Sequence, residues 1–133
     1  MQITAIVKNS ATGHEVIVRT GDAAQPLSVP PKCPGKGSAI NGGEFLMLAL
    51  ATCYCNDLYR EAERLAIPID GVEVEASAEF PGVGLAATNI TYRATVSSSA
   101  SDSLVAQLLR ETDAVAEIHN TVRAGVPVEL VRR

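Results

Sequence analysis

The feature that most restricts the fold is a helix-forming stretch that is apolar on every side. Residues 45–51 read FLMLALA, which contains no charge. The NDLYREAERL segment at 56–65 continues the helical pattern with charged residues on one face. We therefore predict one helix from about Gly42 to about Ala66, because Pro68 follows. A helix half that is apolar all round needs cover from a sheet, a partner helix or a second subunit.

Short strands are predicted on the N-terminal side of this helix. Residues 2–8 and 14–20 are rich in β-branched side chains and indicate a β-hairpin with a turn at 9–13. Glycine and proline are frequent in residues 21–43, which predicts a loop containing one short strand near 27–29.

The C-terminal half predicts a second hairpin, a helix and a closing strand. Residues 72–80 and 89–97 alternate at period two, with valine and alanine on one face of the first strand and glutamate and serine on the other. A helical pattern runs from 102 to about 123, and VPVELV at 126–131 reads as an edge strand. The order β-β-(β)-α-β-β-α-β predicts an α+β class in a single domain, 1–133.

Composition excludes several classes of function. The chain has 133 residues, a net charge of −4, few aromatic residues and no tryptophan. This balance argues against nucleic acid, whose backbone requires a basic face. The longest apolar run is shorter than the roughly 20 residues that cross a bilayer, and the start lacks a signal-peptide pattern. We expect no membrane association and a cytoplasmic location, where thiols stay reduced.

Two of the three cysteines, Cys53 and Cys55, lie one residue apart within the predicted helix. Positions i and i+2 of a helix point to nearly opposite sides, so the two sulfurs cannot bridge without distorting it. Both thiols can be packing material, or one can be reactive. A structural zinc site needs spaced pairs of ligands, which this pattern lacks. We therefore predict no metal.

Glu44 is the one charge ahead of the apolar stretch. In the first turn of a helix a carboxylate is stabilised by the helix dipole and by free N–H groups, so capping alone explains it. Nine residues of helix separate Glu44 from Cys53 by roughly 13–14 Å. The two side chains can meet only across an antiparallel pair of helices from two copies.

The run GGEFLMLALATC, Gly42 to Cys53, resembles the central-helix motif of the OsmC/Ohr superfamily. The LYREAERLAIPIDGVEVEASAEF segment at 58–80 is similar to the end of that helix and the strand that follows it. The resemblance extends over essentially the whole chain through the order of strands and helices. It implies an OsmC-like fold, an intertwined homodimer, and a long central helix packed on antiparallel sheets.

The resemblance also implies a function. The best-known members of the family are thiol peroxidases, which implies reduction of small organic hydroperoxides with an external thiol reductant and no cofactor. By motif position Cys53 matches the peroxidatic cysteine, and Glu44 matches a carboxylate upstream of it. The alternative is a non-catalytic relative that binds a small apolar ligand.

This sequence departs from the family pattern at the later helix, which has no cysteine. His119 or a neighbour occupies the position of the resolving cysteine, which identifies an atypical branch. Resolution can come from Cys33, from Cys55 after local unwinding of the helix, or from the external thiol. Arg19 is the candidate for the activating cation, which a peroxidatic thiol needs because an ordinary thiol is mostly protonated at neutral pH.

Overall fold

The structure is a computed structural model that describes residues 1–132, so Arg133 of the predicted domain lies outside the described residues. Within them the elements follow the order β-β-β-α-β-β-α-α, and the named strands pair antiparallel. The predicted α+β class is confirmed. The chain divides into two compact units, one ending at Phe45 and one beginning at Leu46. The single domain stays a prediction.

The first unit is built on a three-stranded sheet in the order β1-β2-β3. Strands β1 (Ile3–Ser10) and β2 (Gly13–Thr20) form the predicted hairpin with a shorter turn, since Ser10 pairs with Gly13. Strand β3 is Ala23–Leu27 rather than residues 27–29. Its Pro26 lies opposite Ile17, which is tolerated because an edge strand has one row of N–H groups without a partner.

Helix α1 (Gly42–Leu65) confirms the predicted long helix. Its start is a capping box: the Glu44 N–H donates to Asn41 Oδ1 at 2.8 Å, and the Asn41 N–H donates to Glu44 Oε1 at 3.0 Å. Two of the free N–H groups at the helix start are thereby satisfied. The helix ends at a turn in which the Ile67 N–H donates to the Ala62 carbonyl.

The second unit contains the core that positions the candidate site. Strands β4 (Gly71–Glu79) and β5 (Thr88–Ser97) form an antiparallel pair. The alternation predicted for β4 is confirmed, since its valines and alanines are more buried than its glutamates. One face of α1 and helix α2 (Asp102–Val115) pack with this sheet. The buried centre of that core consists of Tyr54, Leu58, Ala62, Ile67, Leu108 and Ala116.

The helix predicted from 102 to about 123 is two helices, which corrects the prediction. After α2, Ala116 adopts an extended conformation, and α3 (Glu117–Ala124) begins. Ala116 is fully buried in the core. The carbonyls freed at the end of α2 find new donors, because Asn120 Nδ2 donates to the Ala114 carbonyl at 3.1 Å and Arg123 donates to the Asp113 carbonyl. These bonds offset the cost of interrupting the helix.

The predicted strand at 126–131 is wrong for this structure. Residues 126–132 have no strand assignment and are exposed. None of the described strands pairs with this segment, and Pro127 has no N–H to contribute to a ladder. Among the described helices, none combines the length and the apolar character required to cross a membrane.

The core of the second unit yields a prediction about stability. Leu108 is fully buried on α2, whereas Leu104, one turn earlier, is 44% exposed. Leu108→Ala should lower the free energy of unfolding by about 2–5 kcal/mol, because it removes buried methyl groups and leaves a cavity. Leu104→Ala is the matched control and should change it by about 0.5 kcal/mol or less. Urea unfolding followed by circular dichroism measures both, and equal losses would contradict this description of the core.

Candidate functional site

The Cys53 thiol lies between two carboxylates. It is half-buried on α1, and its Sγ donates to Asp57 Oδ2 at 3.6 Å and approaches Glu117 Oε2 at 4.0 Å. Asp57 lies four residues further along α1, which puts it on the same helix face. Glu117 comes from the first turn of α3, so the contact joins two elements of the second unit.

The start of α3 also contributes a backbone donor to the sulfur. The Ile118 N–H donates to Cys53, and this contact favours the thiolate. N–H groups in the first turn of a helix have no partner inside the helix, and the helix dipole there favours negative charge. Cys53 lies in the middle of α1 and gains little from the start of that helix. The break at Ala116 supplies a second helix start, that of α3, beside the sulfur.

The balance of these effects keeps the proton on the sulfur. Burial raises the pKa of the Cys53 thiol, the Ile118 N–H opposes that rise, and the charge of Asp57 adds to it. Burial also raises the pKa of Asp57, opposed by Arg60, whose guanidinium lies 2.9 Å from Asp57 Oδ1. Because the Cys53 pKa lies above the ordinary range for a thiol, the thiol is mostly protonated at neutral pH.

Among the described residues, the side chains of Cys53, Asp57 and Glu117 form the one group whose ligand atoms lie close enough together to hold a metal ion. Ligand atoms of Cys53, Asp57 and Glu117 all lie within 4.8 Å of one another. Three protein ligands are the number found in zinc sites that keep an open position. However, Arg60 already forms an ion pair with Asp57. Nothing else in the described part of the chain points to an ion at this place.

His119, the candidate for the resolving position, is buried. Its side chain is 3% exposed and packs against two tyrosine rings, with ring centroids 5.8 Å from Tyr54 and 4.4 Å from Tyr92. The Tyr92 hydroxyl donates to Asp113, whose carboxylate also pairs with Arg123 at 2.6 Å. His119 therefore belongs to an aromatic and ionic cluster in the second unit.

The remaining predicted residues have other positions. Glu44 is occupied in the capping box, and its part in chemistry stays a prediction. Arg19 is exposed on β2, and Cys33 is exposed in the loop that follows β3. Cys55 is half-buried on α1, and all three cysteines are free thiols. The structure thus groups Cys53 with Asp57, Glu117 and the Ile118 N–H.

Asp57, Glu117 and Ile118 are the neighbours of Cys53 that the sequence analysis missed. The spacing of Cys53 and Asp57 is a local signal that could have identified Asp57, because residues four apart are neighbours on a helix. Glu117 lies 64 residues from Cys53 along the chain. No local sequence pattern predicts that contact, because it depends on the position at which α3 begins.

Comparison with known proteins places the chain in a family. A model of the family described as OsmC-like protein matches residues 35–131. No curated protein sequence matches the chain.

Solved structures are similar in fold at low sequence identity. An OsmC-like protein from Mycoplasma pneumoniae has a TM-score of 0.64 and 18% identity, and the match covers 92% of this chain and 86% of that one. An organic hydroperoxide resistance protein from Elizabethkingia anophelis has a TM-score of 0.63 and 14% identity, and the match covers 92% of this chain and 89% of that one. An organic hydroperoxide resistance protein OsmC from Legionella pneumophila has a TM-score of 0.59 and 18% identity, and the match covers 95% of this chain and 93% of that one. The chain belongs to the OsmC-like family, as the motif at Gly42–Cys53 predicted.

Proposed function

We propose that this protein removes organic hydroperoxides through the thiol of Cys53. The observation that carries the proposal is the position of that sulfur. It is half-exposed at the start of α3, where the Ile118 N–H can stabilise the thiolate. The family and the names of two similar structures, both organic hydroperoxide resistance proteins, support a role related to oxidative stress.

The proposed step transfers one oxygen atom to sulfur. The Cys53 thiolate attacks the outer oxygen of R–O–OH, an S–O bond forms, and the O–O bond breaks. Sulfur is oxidised to sulfenic acid, and the alkoxide that leaves takes a proton to become the alcohol R–OH. An external thiol then condenses with the sulfenic acid and releases water, and a second thiol restores Cys53. Cys33 and Cys55 are internal alternatives for the first of these thiols, and a cytoplasmic setting would supply the reductant.

The carboxylates beside Cys53 favour a second candidate function. Because the pKa of Cys53 is raised by burial and by Asp57, the thiol is less reactive at neutral pH than an activated peroxidatic cysteine. A relative that binds a small apolar ligand without catalysis would tolerate such a thiol. The rate of hydroperoxide reduction decides between the two candidates.

We also propose that two copies associate. Leu48, in the all-apolar half of α1, is 57% exposed, and Leu130 in the C-terminal segment is 99% exposed. Apolar surface of this kind is stabilised when a partner covers it. The segment at 126–131, VPVELV, is rich in valine, which favours a strand if a second copy provides its ladder.

Hydroperoxide consumption tests the proposed activity. The assay contains reduced protein, cumene hydroperoxide and dithiothreitol as the external thiol. The wild type should consume the hydroperoxide catalytically, whereas the rate of consumption with Cys53→Ser should equal that of the protein-free mixture. Cys33→Ser and Cys55→Ser are matched controls that should retain the first oxidation, because neither sulfur is the proposed nucleophile. A wild type no faster than the protein-free mixture would favour the non-catalytic candidate.

The charge of Asp57 yields a prediction about pH. In a background that lacks Cys33 and Cys55, the rate of Cys53 alkylation by iodoacetamide should rise with pH as the thiolate forms. Asp57→Asn should move this profile to lower pH, because the neutral amide removes a charge that raises the pKa of Cys53. Glu63→Gln, on the same helix but exposed, should leave the profile in place. A profile unmoved by Asp57→Asn would contradict the described electrostatics.

Association is tested by sedimentation velocity at micromolar concentration. The wild type should sediment as two copies, and the double variant Val128→Lys, Leu130→Lys should shift towards one copy, because charges replace the two most exposed apolar side chains of the C-terminal segment. Glu129→Lys adds a positive charge in the same segment and should stay paired. A wild type that sediments as one copy would overturn the proposal.

A further inference from the structure

A pocket in the second unit is not used by the proposed thiol chemistry. Its volume is about 320 Å³. For comparison, an engineered apolar cavity of about 150 Å³ binds benzene, so the volume suits a ring-sized molecule. Its walls come from α1, β5 and α3, and most of them are apolar. The lining residues are Leu50, Ile90, Thr91, Tyr92, His119, Val122 and Arg123.

His119 is the feature of this pocket that points to a ligand. The side chain is 3% exposed, and neither ring nitrogen has a hydrogen-bond partner among the described residues. A buried polar group without a partner lowers stability, and most such groups in folded proteins are satisfied. Both nitrogens are shielded from solvent, so the ring holds unused hydrogen-bonding capacity directly behind the wall of a pocket that is otherwise mainly apolar.

The charge around His119 selects the kind of ligand. Burial lowers the pKa of His119, and the nearby Arg123 lowers it further. The ring is therefore neutral at pH 7, with one N–H donor and one nitrogen acceptor. Arg123 already pairs with Asp113 at 2.6 Å, and the Tyr92 hydroxyl donates to the same carboxylate. An anionic ligand would gain little from Arg123, because Asp113 already neutralises the charge of that guanidinium.

We propose that this pocket binds a small neutral molecule with an apolar body and one hydroxyl group, an alcohol or a phenol, whose hydroxyl hydrogen-bonds to His119 after a small rotation of the ring brings one nitrogen to the pocket. A hydroxyl both donates and accepts, which matches a neutral imidazole. The apolar body replaces water against Leu50, Ile90 and Val122. The inference does not depend on the reactivity of Cys53, so the two proposals can fail separately.

The test compares phenol, benzene and benzoate as probes of the full chain. The three affinities are measured by solution NMR titration of the Cys53→Ser protein at pH 7. This variant has no thiol at position 53 that could react. Phenol should bind about fivefold more tightly than benzene, the ratio expected for one net hydrogen bond. Benzoate should bind more weakly than phenol. Equal affinity for phenol and benzene, or no binding of either at millimolar concentration, would overturn the proposal.

The two histidines of the chain provide a matched pair of variants. His119→Phe keeps an aromatic ring between Tyr54 and Tyr92 and should abolish the preference for phenol. It should also raise the melting temperature of the ligand-free protein, because it removes a buried unsatisfied group. His14→Phe, in the first unit, should leave the preference unchanged.

Histidine resonances then locate the bound probe. The His14→Phe variant retains one histidine, so its imidazole signals belong to His119 and should shift as phenol is added. A preference for phenol that survives His119→Phe, or His119 signals that stay fixed at saturating phenol, would show that the hydroxyl is recognised elsewhere and would overturn the assignment. Loss of the preference in a folded His119→Phe protein supports it.

Discussion

The second unit depends on the packing of one face of α1 against the β4–β5 sheet and helix α2. Leu58 and Leu108 are both fully buried at the centre of this contact. The Tyr54 hydroxyl extends the contact by donating to the Leu109 carbonyl at 2.8 Å. Because burial of apolar area is the main favourable contribution to folding, this contact sets the rotation of α1 about its axis. That rotation places Cys53, one residue before Tyr54, at the border of the core, where a thiol is both restrained and half-exposed.

The interruption at Ala116 converts this packing into a site. An uninterrupted helix would have bonded the N–H of Ile118 to a carbonyl one turn earlier. Extended backbone at Ala116 instead leaves that N–H free for the sulfur of Cys53. The carbonyls released by the same interruption accept hydrogen bonds from Asn120 and Arg123. One buried alanine thus creates a donor for the thiol and brings Glu117 to its side.

The sequence predicts those elements whose signals are local. The apolar run of α1, the alternation of β4 and the two hairpins each follow from periodicity within a few residues. The break at Ala116 has no such signal, since no glycine or proline lies between Asp102 and Ala124, and the helical pattern continues across it. The strand predicted at 126–131 fails for a different reason, because pairing needs a neighbour that the described chain does not supply. Of the site, Cys53 is predicted from its motif, whereas Glu117 requires the fold.

The two polar groups that flank Tyr54 differ in how their hydrogen bonds are satisfied, and this difference separates their proposed roles. Cys53 has both a donor and carboxylate acceptors around its sulfur, so its environment regulates when the proton leaves. His119 is more deeply buried, and its ring nitrogens have no hydrogen-bond partner among the described residues, so its environment favours the binding of another molecule. The charge of Asp57, beside Cys53, acts on His119 as well, but the proposed ligand is neutral and adds no charge near that carboxylate. Binding at His119 and oxidation at Cys53 can therefore occur on the same unit without electrostatic competition.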